Sequence, residues 1–188
     1  MVSIPASAAA QPAPHRVAVG GTLALGSSWD DESRVGDGVS VGGAVQVGPW
    51  KRVAIEIDVR HFTYDRRFQS GVEFSGEGEQ LSANLLYYLR EAGTRPFVLV
   101  GVALLRVDRT TRFPLLPPFP RPGTGDASAP IIAESLRSSD TGTGVDVGGG
   151  VSVPLGAHWS LRPEIRALLG AGAIVSRIDV GAGLSYGW

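Results

Sequence analysis

The chain has no cysteine among its 188 residues, which excludes both a disulfide framework and any cysteine-based metal site. Its formal net charge is only -1, which gives no reason to expect a nucleic-acid partner. No run of about 18 apolar residues occurs, so a transmembrane helix is excluded as well. A chain of this length is enough for one domain.

Histidine is scarce, and its placement is uninformative for metal chemistry. His15, His61 and His158 fall on different predicted strands or turns without the spacing of metal ligands. The several Gly-x-Gly pairs precede no predicted helix, so they do not indicate phosphate-binding loops. We therefore predict no metal, no cofactor and no catalytic residue.

Glycine is abundant, with 26 residues and no collagen-like period, and the mean hydropathy is +0.10. Apolar residues alternate with small or charged ones in many segments, as they do along β-strands that have one apolar face. Eight strands are predicted: His15–Gly26, Val39–Val47, Val53–Tyr64, Glu77–Leu89, Pro96–Asp108, Thr141–Val153, Ser160–Leu169 and Ile174–Trp188.

The third strand indicates most clearly the environment of the two strand faces. Four aliphatic residues share one face, whereas Glu56, Asp58 and Arg60 share the other. Unpaired charges are too costly for the core of a soluble protein. They suit a barrel that has lipid outside and a polar interior.

Applied to the other strands, the same alternation predicts a lumen that is plugged by ion pairs of both signs, because eight strands leave room only for side chains. On the fifth strand we place Val98, Val100, Val102 and Leu104 outward; the opposite facing would add Arg106 and Asp108 to the lumen. The predicted lumen charges are Glu56, Asp58, Arg60, Asp146, Arg162, Glu164, Arg166, Arg177 and Asp179.

Connection lengths predict which strand ends share a side. The connections after strands one, three and five are long, those after two, four and six are short, and the one after seven is short. The segment Arg109–Asp140 is the longest, and loops of this length usually carry function or are disordered. Short turns on one side and long loops on the other are typical of outer-membrane barrels.

Aromatic residues fall near the predicted strand ends rather than at mid-strand. Aromatic rings favour the two membrane interfaces, so two girdles are expected. The predicted interface aromatics are Trp29, Trp50, Tyr64, Tyr87, Phe97, Trp159, Tyr186 and Trp188.

The closing strand carries the pattern Gly183-x-x-Tyr186-x-Trp188. It resembles the last strand of bacterial outer-membrane barrels, where this pattern is the signal that the barrel-assembly machinery reads. From about residue 15 to 188, the chain resembles the OmpA-type outer-membrane β-barrel family. The resemblance implies an all-β, eight-stranded antiparallel up-and-down transmembrane barrel in the outer membrane of a Gram-negative bacterium. It also implies contacts with outer-membrane lipid and lipopolysaccharide, and periplasmic termini.

Residues 1–14 form a separate segment before the barrel, which takes up residues 15–188. Three alanines before Gln11 resemble the end of a secretory signal peptide, although a basic start and an apolar core are lacking. We expect a residual signal peptide, and a flexible tail is the alternative.

Our main hypothesis is a non-enzymatic barrel with a plugged lumen, acting as a structural or interaction protein through its extracellular loops; a narrow pore is a variant of it. The sequence does not identify an extracellular partner. The first alternative is a lipid-modifying barrel enzyme. His158-Trp159-Ser160 has the His-x-Ser spacing of lipid A deacylases but lacks the Asn-Ala that follows in that family. The second is a soluble lipocalin-like ligand-binding barrel, which would need an apolar interior.

Overall fold

The computed structural model describes residues 17–30, 33–48, 50–67, 72–113, 135–171 and 176–188. Within these ranges no helix is long and apolar enough to cross a membrane. The strands are β1 (Val17–Asp30), β2 (Ser33–Val47), β3 (Val53–Arg67), β4 (Glu73–Tyr88), β5 (Arg95–Arg112), β6 (Ser135–Pro154), β7 (Trp159–Gly170) and β8 (Ser176–Gly187). The predicted residual signal peptide lies outside the described residues.

The eight strands form one closed antiparallel barrel in which each strand pairs with the next. β8 returns to β1, with Leu23 opposite Ala182, and the Trp188 amide donates to the Val17 carbonyl at 3.2 Å. Closure satisfies the edge backbone groups of both terminal strands. The predicted eight-stranded up-and-down fold is confirmed.

Side chains alternate strictly across the barrel wall. Along β4, Leu81 and Leu85 are exposed on the outside, whereas Gln80, Ser82 and Asn84 are buried inside. An exposed apolar surface this extensive is rare on soluble monomers and marks contact with a membrane or a partner. Members of this outer apolar band include Leu23, Leu25, Val41, Val45, Ile55, Ile57, Val59, Leu81, Leu85, Val98, Val100, Val102, Leu104, Ile165, Val180 and Leu184.

Several strands run further than the sequence pattern predicts. β3 continues to Arg67, β5 continues to Arg112, and β6 begins at Ser135. Only residues 31–32 separate β1 from β2, and only residues 68–72 separate β3 from β4. The predicted long connections after strands one and three are therefore wrong. The polar residues there pair through their backbones, and β-pairing does not require an apolar face. Most of the predicted loop 109–140, residues 114–134, lies outside the described residues.

The inside of the barrel is stacked in three levels, which can be followed along β3. Ala54 lies at the end of the barrel that carries the chain termini, then come Glu56, Asp58 and Arg60, and then Phe62. The charged level thus lies between two apolar clusters. At the end with the termini the cluster is Ala54, Leu86, Tyr88, Phe97 and Leu99. Towards the other end it is Phe62, Tyr64, Ala103, Leu105, Val107 and Leu168.

Candidate functional site

The candidate site is the set of charged side chains inside the barrel. All nine predicted lumen charges are buried, with at most 8 % of any residue exposed. They form two groups. One is a neutral pair, Arg177 with Asp179. The other, which we call the charged layer, consists of Glu56, Asp58, Arg60, Asp146, Arg162, Glu164 and Arg166.

Arg166 lies at the centre of the charged layer and connects three strands. Its Nε donates to Glu164 Oε1 at 2.9 Å, and its Nη2 donates to Glu56 Oε1 at 2.7 Å. Its Nη1 reaches Asp146 Oδ2 at 3.3 Å. The planar guanidinium has its donors in a fixed fork, so a single side chain can serve carboxylates on β3, β6 and β7.

Two further arginines complete the layer. Arg162 donates through Nη1 to Glu56 Oε2, and its Nε lies 2.9 Å from Glu164 Oε2. Arg60 donates through Nε to Asp58 Oδ1 and through Nη2 to Glu164 Oε1, both at 2.8 Å. Both oxygens of Glu56 and both oxygens of Glu164 are therefore paired.

Arg177 and Asp179 form the second group. It lies towards the end of the lumen that contains the Phe62 ring. Its Nε donates to Asp179 Oδ1 at 2.6 Å, and its Nη1 donates to the Thr63 carbonyl at 3.2 Å. Its guanidinium lies 5.0 Å from the centre of the Phe62 ring, within cation–π range. This one side chain thus ties β8 to β3 across the lumen.

These contacts fix the charged side chains in ion pairs and do not prepare any of them for a chemical reaction. Each carboxylate of the charged layer contacts at least one guanidinium. A cavity of about 20 Å³ lies beside Glu56 and Arg162, where β1, β2 and β8 carry small inward residues. A space of this size holds about one water molecule. No group of three or more His, Cys, Asp or Glu side chains suited to a metal was found among the described residues.

Two of the predicted interface aromatics are wrong. Tyr64 and Phe97 are each 2 % exposed and belong to the apolar clusters inside the barrel. Both residues lie near strand ends. Alternation nevertheless places Tyr64 on the same inward face of β3 as Glu56, and it places Phe97 on the face of β5 that is opposite to the outward face of Val98. Among the other six, Trp29 and Tyr186 are half-buried, and Trp50, Tyr87, Trp159 and Trp188 are exposed.

The residues of the predicted assembly signal, Gly183, Tyr186 and Trp188, lie at the end of the chain that forms the closing strand β8. Tyr186 is the centre of an aromatic cluster, with ring centroids 5.4 Å from His158, 5.2 Å from Trp159 and 6.2 Å from Trp188. Gly183 is buried, and a Cβ added there would lie 2.9 Å from a methyl group on β1. Gly183, Tyr186 and Trp188 thus lie along the seam where β8 pairs with β1.

The histidine of the His-x-Ser triplet contacts β8 from the other side, where β7 pairs with it. The His158 ring stacks on Tyr186, and its Nδ1 lies 3.1 Å from the Gly187 carbonyl. The Ser160 hydroxyl bonds to the Ser185 hydroxyl at 2.7 Å. Both side chains therefore have structural partners.

On the fifth strand the predicted outward placement of Val98, Val100, Val102 and Leu104 is observed. Val98 and Val102 are exposed, and Arg106 lies on the same face. Arg106 and Asp108 form a loose exposed pair, with Nε and Oδ2 3.7 Å apart, outside the lumen. The uncharged polar residues of the lumen were missed. Asn84 could have been found by alternation, since it lies next to the outward Leu85.

An apolar exterior around a charged interior is the inverse of a soluble barrel and matches transmembrane barrels. A model of the outer membrane protein beta-barrel domain matches residues 1–186. The chain belongs to this family. It is an outer-membrane protein of Gram-negative type. No curated protein sequence matches it significantly.

Solved structures show the same fold at low sequence identity. Neisserial surface protein A is 13 % identical, with a TM-score of 0.60 over 92 % of this chain and 97 % of that one. Pseudomonas aeruginosa OprG is 10 % identical, with a TM-score of 0.57 over 95 % and 99 %. The N-terminal barrel domain of P. aeruginosa OprF is 13 % identical, with a TM-score of 0.53 over 90 % and 97 %. At such low sequence identities the similarity shows only that the fold is shared.

Proposed function

We propose that this outer-membrane barrel is a non-enzymatic, closed barrel that acts as a structural or interaction protein. Its contacts are made by the strand extensions that project beyond the apolar band, on the side opposite the termini. We assign that side to the cell exterior. The observation that carries the proposal is the three-level lumen, in which paired ions lie between two apolar clusters.

Closure follows from how tightly the charged layer is paired. Moving any one guanidinium would leave a buried carboxylate uncompensated, which costs several kcal/mol. Arg166 alone contacts carboxylates on three strands, so it cannot swing aside without breaking all of these contacts. An ion would have to break this layer and pass both apolar clusters.

The projecting extensions form the part of the barrel that is free to meet a partner. The first polar row outside the apolar band is His61, Glu79, Arg106 and Thr141, which are neighbours in register on β3 to β6 and are exposed. Beyond it, β5 and β6 stay paired as far as Arg112 and Ser135. A row of mixed charge at this level suits lipopolysaccharide headgroups, and the extension beyond it suits a protein partner.

A lipid-modifying enzyme is disfavoured by the fixed partners of the candidate groups. Catalysis by a carboxylate requires a protonation state matched to the reaction, whereas the carboxylates here are held as ion pairs. His158 and Ser160 are held in contacts with β8, at the β7–β8 pair.

Planar-bilayer recording tests closure. The purified full chain should show no large stable conductance at ±100 mV. The double variant Glu56→Ala/Arg162→Ala removes a neutral pair beside the small cavity and should raise the conductance, which shows that the assay detects an opened lumen. Large stable conductance of the wild type would refute the closed state.

Lipid A analysis tests the non-enzymatic assignment. Cells that overproduce the protein should have the same lipid A mass spectrum as cells that carry the empty plasmid. A new lipid A species that appears only with the wild type would show that the protein is an enzyme.

A further inference from the structure

The charged layer is not electrically balanced. Among the described side chains it holds four carboxylates and three guanidiniums, which leaves one negative charge. The neighbouring pair of Arg177 and Asp179 is neutral and does not compensate for it. An uncompensated charge between two apolar clusters is strongly disfavoured, because little solvent is available to screen it.

The excess charge can be located from the contacts. Glu56 and Glu164 use both carboxylate oxygens in ion pairs. Asp58 uses only Oδ1, whereas its Oδ2 is buried without a hydrogen-bond partner. Asp146 has a single arginine contact, at 3.3 Å. The unbalanced charge therefore lies on the side of the two aspartates.

Asn84 occupies the wall between these aspartates. In register it lies opposite Glu56 on one side and Gly101 on the other, and Gly101 lies opposite Asp146. A Cβ added at Gly101 would overlap Asn84 Oδ1, so the amide oxygen extends over the glycine in the direction of β6. Asn84 is only 2 % exposed, yet neither of its amide atoms has a hydrogen-bond partner.

Asp58 lies opposite Ser82 and is thus a diagonal neighbour of Asn84 on the adjacent strand. Diagonal inward side chains on paired strands are within reach of each other. Asp58 and Asn84 each have a buried oxygen without a hydrogen-bond partner, Oδ2 and Oδ1 respectively. Both residues belong to the β3–β6 part of the wall, which also carries Asp146.

We propose that this side of the charged layer binds one alkali metal cation, Na⁺ or K⁺, through Asp58 Oδ2 and Asn84 Oδ1, with Asp146 as the second nearby carboxylate. Oxygen donors suit a hard cation. A single charge restores neutrality, whereas a divalent ion would leave the layer with an excess positive charge. The ion binds the closed barrel and not the unfolded chain, so it stabilises the fold by mass action. This inference does not depend on what the protein does outside the membrane.

The test is urea unfolding of the full chain in lipid vesicles at constant ionic strength. The protein is refolded in NaCl, KCl or RbCl mixed with N-methyl-D-glucamine chloride, whose large cation does not fit a buried site. Above saturation of the site, each tenfold rise in the alkali cation should raise the folding equilibrium constant by about tenfold. N-methyl-D-glucamine should have no such effect.

Asp58→Asn should abolish this dependence and still fold, because it leaves three carboxylates opposite three guanidiniums. The control Asp108→Asn makes the same change in net charge at an exposed position and should keep the wild-type dependence. If Asp58→Asn does not fold, Asn84→Leu serves instead, since it removes one ligand and leaves every ion pair in place.

A wild type that shows no alkali dependence would overturn the proposal. Stability that follows pH in N-methyl-D-glucamine and ignores alkali ions would show that a proton neutralises the layer, which also overturns it. Crystals grown with RbCl give a direct readout. Anomalous density between Asp58 and Asn84 supports the site, and density only elsewhere refutes it.

Discussion

Ile57 on β3 allows a quantitative test of which face meets lipid. Its side chain is 47 % exposed on the outer wall, and its register neighbours Val45 and Ala83 lie on the same face. The first polar outward residue towards the projecting end is His61, four positions away. At about 3.3 Å per residue and about 45° of tilt, this distance is about 9 Å along the membrane normal. An arginine at position 57 would therefore lie deep in the hydrocarbon region.

An arginine at the bilayer midplane costs about 2–4 kcal/mol, and near the interface about 0–1 kcal/mol. Ile57→Arg should therefore lower the folding equilibrium constant roughly 30- to 700-fold, since about 1.4 kcal/mol corresponds to a factor of ten. The assay is reversible urea unfolding in phosphatidylcholine vesicles, followed by tryptophan fluorescence and heat-modifiable gel migration. His61→Arg is the matched control, on the same strand and face. Equal stability losses for the two variants would refute the assigned membrane position.

Further predictions concern the lumen and the glycines of the wall, and the same unfolding assay checks them. Arg166→Met leaves several buried carboxylates without their partner and should lower the free energy of unfolding by on the order of 3–5 kcal/mol. Arg52→Met removes exposed contacts with Glu91 and Tyr87 on the outer surface and should have little effect. Equal losses for the two variants would argue against a closed charged layer. Gly42→Ala places a Cβ 2.6 Å from the Val59 carbonyl oxygen and should cost about 1–3 kcal/mol. The Cβ added by Gly43→Ala points outward and lies 3.7 Å from the nearest atom, so this variant should have nearly the stability of the wild type. Similar losses of stability for both variants would contradict the assigned faces of β2.

The number of strands and the face of each could be predicted because alternation is a local property. The pattern around Ile57 fixes the inner and outer faces of β3 from a few neighbouring residues. The same rule, applied consistently, would have placed Tyr64 and Phe97 inside. They were misassigned because their nearness to strand ends was given more weight than their parity. Strand length was underestimated because backbone pairing continues through polar segments, as in β5 up to Arg112.

The partners of the lumen charges could not be predicted from the sequence. Glu56 and Arg162 are 106 residues apart, and their contact depends on the relative register of strands that are not adjacent. Register in a closed barrel is a collective property of all eight strands. The composition of the lumen therefore predicted ions of both signs, but neither the central place of Arg166 nor the charge imbalance near Asp58.

The central claim is that an apolar outer wall faces lipid while the charges lie inside. Because the chain has no cysteine, single cysteines can be placed on β3 and spin-labelled in vesicles. Labels at residues 55, 57 and 59 should collide with dissolved oxygen and not with a water-soluble nickel chelate. A label at residue 61 should begin to meet the chelate, and one at residue 54 should meet neither. Free access of the chelate to residue 57 would contradict the account.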